Sequence, residues 1–280
     1  MTAFLPETVL TVAAAVLYVS AWAAELTLLT HPRRWLGFAS TGGMWIGLAL
    51  QTAGIAWRWQ AIGHPPVMGS FENSMVCAWF LVAGTLLLRR VREWRSLPVG
   101  VLPASVIVIV WGMRFSANRL ELTISERSLW IDLHALVAWI AFFAATAAVW
   151  ACVLSVVRAW EERRGRPLAA AATLPARKWA DEMVMQAVTY SFLGVTALLA
   201  SGAWYSWLLF GETWRWDLVE VLGLITWIVL GLAVHARMFY GWRGLRLAIL
   251  YMAAYLGIVS MYWLLALFPF ASYHFFELPF

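Results

Sequence analysis

The chain alternates between long apolar blocks and short polar joints. Eight apolar blocks fall at 7–29, 35–57, 72–88, 97–113, 132–157, 183–205, 218–240 and 246–268. About 20 apolar residues in a helix cross the hydrocarbon of a bilayer. The pattern therefore predicts an all-α polytopic membrane protein, a bundle of about eight transmembrane helices. No internal repeat, low-complexity tract or linker interrupts the series, so one transmembrane domain over 1–280 is expected. The third and fourth blocks are short, and Arg89 and Arg90 could snorkel and so lengthen the third. The longest polar joint, residues 158–182, reads RAWEERRGRPLAAAATLPARKWADE. It is expected to be a solvated loop rather than a surface helix.

Composition supports the class and charge orients it. The chain is 63% hydrophobic and 12% charged, with mean hydropathy +0.75, against about 25% charged in an ordinary soluble domain. Of the 20 basic residues, 15 fall on one set of joints: Arg33 and Arg34, the Arg89–Arg95 group, the 158–178 joint, and Arg237 to Arg246. The opposite set holds Arg58, Arg114, Arg119, Arg127 and Arg215. Basic loops stay in the cytoplasm, so both termini are expected to be extracytoplasmic. The net charge of +5 then reflects membrane topology, and no nucleic-acid partner is expected. The opening MTAFLPETVL has no basic start, so the first block is expected to be a retained helix rather than a cleaved signal. Cys77 and Cys152 lie far apart in apolar blocks, without a C-x-x-C, and are expected to be buried, inert thiols.

Under this orientation three distant segments meet on the outer face. His134 stands at the mouth of the fifth block, and His274 lies just beyond the eighth. Between them, SWLLFGETWRWDLVE (206–220) brings Trp207, Trp214 and Trp216, then Asp217 and Glu220. Two imidazoles and a slab of indoles suit a flat apolar ligand with a central metal. Haem fits: its iron takes axial imidazoles, its ring stacks on aromatics, and its propionates call for arginine. Arg215, Arg114, Arg119 and Arg127 are candidates for that last contact. His235 lies inside the seventh block, about 8 Å from its cytoplasmic end. An ionisable group within a span marks function by default. The plain alternatives are that the tryptophans anchor the interface and that the histidines are tolerated polarity. Asp217 divides between helix N-cap and a group that orients a backbone or bridges to a propionate. Glu220, in the first turn, suits the helix dipole. Glu25, inside the first block, is left open between a protonated acid, pairing with a partner chain and an interfacial site. His64, before Pro65 and Pro66, is expected to be structural rather than a weak haem contact, and His31 beside Pro32 is a minor ligand candidate.

Residues 211–244, GETWRWDLVEVLGLITWIVLGLAVHARMFYGWRG, closely resemble the tryptophan-rich WWD signature of the cytochrome c assembly family, whose members handle haem. The branch resembled is the CcsA/ResC subunit of the System II cytochrome c synthetase. RWQAIGHPPVMGSFENSM (58–75) is similar to that branch's outer segment, and LHALVAWIAFFAA (133–145) to its histidine-bearing helix. The resemblance implies that His134 and His274 bind haem iron outside and that His235 binds it within the membrane. It implies that Gly211, Trp214, Trp216 and Asp217, in a WWD segment over about 202–220, cradle the porphyrin. It also implies haem b as cofactor, a CcsB/ResB-like membrane protein and apocytochrome c as partners, and a bacterial plasma or thylakoid-type membrane with its active face extracytoplasmic. The second membrane ligand is expected from the partner. Phe210-Gly211 replaces the family's Trp-Gly, and Trp216-Asp217-Leu218-Val219-Glu220 replaces W-D-P-K-E.

Three functions remain in view. One is a synthetase subunit that moves haem outward and presents it for thioether attachment to a C-x-x-C-H apocytochrome. Another is a haem-binding chaperone or regulator without ligation activity. The third is a transporter or structural bundle with interfacial tryptophans.

Overall fold

The structure is a computed structural model and describes residues 6–117, 128–165 and 174–261. Among these residues the regular elements are all helical: α1 (Pro6–Thr30), α2 (Arg34–Ile62), α3 (Ser70–Leu88), α4 (Leu97–Met113), α5 (Leu129–Arg164), α6 (Arg177–Phe210), α7 (Leu218–Phe239) and α8 (Leu245–Val259). A single 3-10 turn covers Arg92–Trp94. Helices α1, α3, α5, α6 and α7 are long and apolar enough to cross a membrane, while α4 and α8 are apolar but shorter. Helix α2 has the length, at 29 residues, but carries Ser40, Thr41, Gln51, Thr52 and Arg58 among its apolar positions.

The chain divides into two compact units, one built from α1–α4 and the other from α5–α8. In the first, α1 packs on α2 and α4, and α3 packs on α2 and α4. The buried seam of α1 runs Glu7, Thr11, Ala14, Tyr18, Ala21, Glu25. Steps of four and three residues keep these positions on one helical stripe. Polar residues sit along this seam, and each finds a partner. The Tyr18 hydroxyl donates to Gln51 Oε1 at 2.7 Å, and Gln51 Nε2 donates to the Met75 carbonyl at 2.7 Å. Gly47 admits the Tyr18 ring, since a Cβ there would come 2.5 Å from Cε1.

Charges close both ends of this unit. Arg58, fully buried, donates through Nε to Glu72 Oε1 at 2.7 Å and through Nη1 to Glu7 Oε1 at 3.2 Å. At the other end Glu25 accepts from Ser40 Oγ at 2.5 Å and from Arg89 Nη2 at 3.0 Å. Arg89 is drawn to this pair: its side chain is only 14% exposed because a carboxylate enclosed nearby is costly without a cation. Glu25, left open above, is ion-paired within its own chain.

In the second unit, α5 packs on α6 and α8, and α7 packs on α6 and α8. Helices α5 and α6 approach closely at Gly194, where a Cβ would come 2.9 Å from that of Ala141. The buried Tyr251 hydroxyl donates to the Ala145 carbonyl at 2.8 Å. The joint expected to be a solvated loop over 158–182 is helical at both ends, because α5 continues to Arg164 and α6 starts at Arg177. Charged pairs support these added turns. Arg158 meets Glu161 at 2.7 Å, three residues on, Arg177 pairs with Glu162, and Arg164 lies over the Trp160 ring at 4.1 Å. Gly165, at φ 62°, ends α5 in the left-handed region. Helix α8 is described to Val259, so the rest of the expected 246–268 span lies outside the described residues. Cys77 and Cys152 are both buried and unpaired.

Candidate functional site

Helix α5 opens with Ser128, whose side chain accepts from the Trp130 amide at 3.3 Å. One turn on, His134 is half-buried against α6. Its Nδ1 lies 3.0 Å from Ser201 Oγ. The ring fits against Gly202, where a Cβ would come 3.1 Å from Cε1. On the same two helices Trp130 and Trp204 meet edge to face at 5.9 Å, and Trp204 contacts Trp207 at 5.2 Å. All three indoles are more than 45% exposed.

Helix α6 ends at Gly211, whose amide donates to the Trp207 carbonyl at 2.8 Å and whose φ is 75°. The left-handed turn is what calls for glycine here, because a Cβ would meet nothing within 4 Å. The chain then reaches Trp216, a non-glycine residue at φ 58°. Its ring is 75% exposed and meets Trp214 edge-on at 6.1 Å. Glu220 fixes this turn from within α7. Its Oε2 accepts from the Arg215 amide at 2.9 Å and the Asp217 amide at 3.3 Å, one on each side of Trp216. Asp217 Oδ1 accepts from the Val219 amide at 2.8 Å, completing a capping box. The N-cap reading of Asp217 is therefore realised, and Glu220 does more than meet the helix dipole. Arg215 stacks on Phe210 at 4.0 Å, so the phenylalanine that replaces the family's tryptophan still offers an aromatic face.

His134, Gly211, Trp214, Arg215, Trp216 and Asp217 thus belong to one end of the second unit: the start of α5, the end of α6 and the start of α7. His235 sits near the other end of α7, stacked on Phe239 at 4.4 Å with Tyr240 edge-on at 5.8 Å. It is exposed, as are Leu232, Phe239 and Tyr240 around it. His274, Arg119 and Arg127 lie outside the described residues. Arg114 belongs to the first unit, over Trp111 at 5.3 Å. His64 is buried in the turn after α2, with Nδ1 2.9 Å from the Pro65 carbonyl. His31 is exposed and contacts Thr30.

The donor set at the α5–α7 end suits a porphyrin. It has an imidazole set by a second group, exposed indole faces, and a buried donor, Trp214 Nε1, with no acceptor among the described residues. An indole N–H can only donate, and a carboxylate would satisfy it. Sequence reasoning missed Ser201, Trp130 and Trp204. The small-residue pair Ser201-Gly202 inside an apolar block was the available signal.

The family model for cytochrome C assembly protein matches residues 67–270. A cytochrome c biogenesis protein CcsA from Synechococcus sp. (strain RCC307) is 26% identical, over 70% of this chain and 71% of its own. Another CcsA, from Prochlorococcus marinus (strain MIT 9312), is 24% identical over 76% of each chain. Among solved structures, cytochrome c haem lyase CcmF shares the fold, with a TM-score of 0.59 at 13% identity. That alignment covers 94% of this chain but only 51% of CcmF, so the chain spans about half of that protein's length. The match runs from the third helix past the tryptophan turn, and on that ground the chain, with its membrane-length apolar helices, belongs to the cytochrome c assembly protein family.

Proposed function

We propose that this protein is the haem-handling membrane subunit of a cytochrome c synthetase. It would take haem b from the cytoplasmic side to an outer site and present it there to apocytochrome c. The observation that carries the reading is the His134 imidazole, held by Ser201 at the same end of the unit as the tryptophan turn. The relatives named CcsA, a cytochrome c biogenesis protein, favour the same role. In this reading about eight helices cross the membrane and both termini are extracytoplasmic, as the arginine distribution requires.

Haem is the substrate here, and its vinyl groups supply the chemistry. Each thiol of a C-x-x-C-H segment adds across one vinyl group, so that sulfur bonds to one carbon, the thiol proton ends on the other, and no electrons are exchanged with a third party. The chain contributes position and electrostatics. His134 and His274 hold the iron, Trp214 and Trp216 bear on the ring, and Arg215 with the Trp214 N–H faces a propionate. His235, stacked on Phe239, holds haem on its way outward, with a second membrane ligand from a CcsB/ResB-like partner. The exposure of His235, Leu232 and Phe239 fits a face that meets such a partner.

The test is co-expression with a CcsB/ResB-like protein and a C-x-x-C-H reporter. Covalent haem on the reporter, abolished by His134→Ala or His274→Ala, is the expected result. Haem bound by the purified protein with no reporter labelling would instead favour a haem chaperone or regulator. Colourless protein from haem-replete cells, unchanged by either substitution, would overturn both.

A further inference from the structure

Resting on the reading of His134 as an iron ligand, we propose that Ser201 is its positioning residue and that Ser201-Gly202 forms a seat for the imidazole. Ser201 Oγ lies 3.0 Å from the Leu198 carbonyl oxygen and 3.0 Å from His134 Nδ1. A hydroxyl has one proton and two lone pairs, while a carbonyl can only accept. The hydroxyl proton therefore goes to Leu198, and Oγ receives the N–H of Nδ1. This assigns the imidazole proton to Nδ1 and the lone pair to Nε2, the nitrogen farther from α6.

The adjacent glycine completes the seat. A Cβ at Gly202 would come 3.1 Å from His134 Cε1 and 3.7 Å from Nδ1. The missing methyl lets the ring lie against α6 at hydrogen-bonding distance from its neighbour. Trp130, four residues before His134, and Trp204, three after Ser201, lie on the same two helices and meet edge to face at 5.9 Å. The arrangement matches what a metal-binding histidine needs: one ring nitrogen is fixed by a hydrogen bond, so tautomer and ring plane are set before the metal arrives.

A serine that merely caps its own helix turn would be satisfied by Leu198 alone and would leave the imidazole's proton undirected. That difference is measurable without haem. The probe is haem-free protein in lipid nanodiscs, labelled with ring-15N histidine, at a pH where imidazole is neutral. The His134 signals are assigned by difference against His134→Gln. The wild type is expected to carry its proton on Nδ1. Ser201→Ala and Ser201→Val should shift it toward Nε2, and Ser201→Thr, matched to valine in volume, should restore it. Haem titration should then give at least about tenfold weaker binding for Ser201→Val than for Ser201→Thr. Gly202→Ala should weaken binding by displacing the ring. A wild-type proton on Nε2, or a tautomer indifferent to Ser201→Val, overturns the proposal whatever haem does. If the tautomer follows Ser201 but His134→Gln binds haem as the wild type does, the ligand reading fails, and the positioning role falls with it.

Discussion

In the first unit Arg58 is fully enclosed between Glu7 and Glu72, whereas in the second Trp216 stands 75% exposed on a left-handed turn. Both are polar-apolar mismatches, and they run in opposite directions. A guanidinium inside a bundle is tolerated because two carboxylates and the Ser116 carbonyl meet it, so its geometry is fixed by the fold. An indole outside is tolerated because Glu220 grips the amides on either side of it. Little packing would be lost with the ring. The contrast separates charge spent on holding helices together from aromatic surface kept available for a ligand.

The comparison can be broken most sharply at Arg58. Arg58→Met strands two buried carboxylates and is expected to destabilise the protein by about 3–5 kcal/mol, read as lost accumulation and a lowered melting temperature. Adding Glu7→Gln and Glu72→Gln should recover most of that loss, since neutral amides need no cation. If the single substitution melts like the wild type, the buried network does not hold the first unit. Next comes His134→Ala, expected to remove at least about 90% of the Soret absorbance while melting within about 1 kcal/mol of the wild type, as befits a half-buried side chain whose hydrogen bond to Ser201 is modest. Asp217→Ala removes the α7 cap and should cost about 1 kcal/mol, with a measurable fall in haem retention because the same box shapes the tryptophan turn. The smallest expected effect on stability is Trp216→Gly. Relief of the left-handed backbone, about 1 kcal/mol, offsets the entropy of glycine, so melting stays level or rises while haem retention falls severalfold. A clear loss of stability there would show that the indole packs rather than waits.

Much of the helix order was legible because a membrane helix writes its own apolar length. The ends were less so. Arg158 to Arg164 and Arg177 to Glu182 look like solvent-loving chain, but their opposite charges lie three and four residues apart and pair along the helix. The buried triad was hidden for another reason. Arg58 lies 51 residues from Glu7 and 14 from Glu72, and only the packing of three helices brings them together. Residue by residue, each resembles a charge at a membrane edge. At the candidate site, His134, Trp207, Trp214 and Trp216 announced themselves by residue type. Ser201 did not, because an unremarkable hydroxyl gains meaning only from the imidazole that α5 sets beside it.

Glu220 belongs to the first turn of α7, yet two of the amides it satisfies lie in the chain before that turn. Fraying of the helix start and release of the tryptophan turn are therefore one event rather than two. By thermodynamic linkage, any molecule that prefers the ordered turn must also hold the helix wound, and to the same extent. Cargo on the indoles would be felt as slower amide exchange at Val219 and Val221, inside a helix it does not touch.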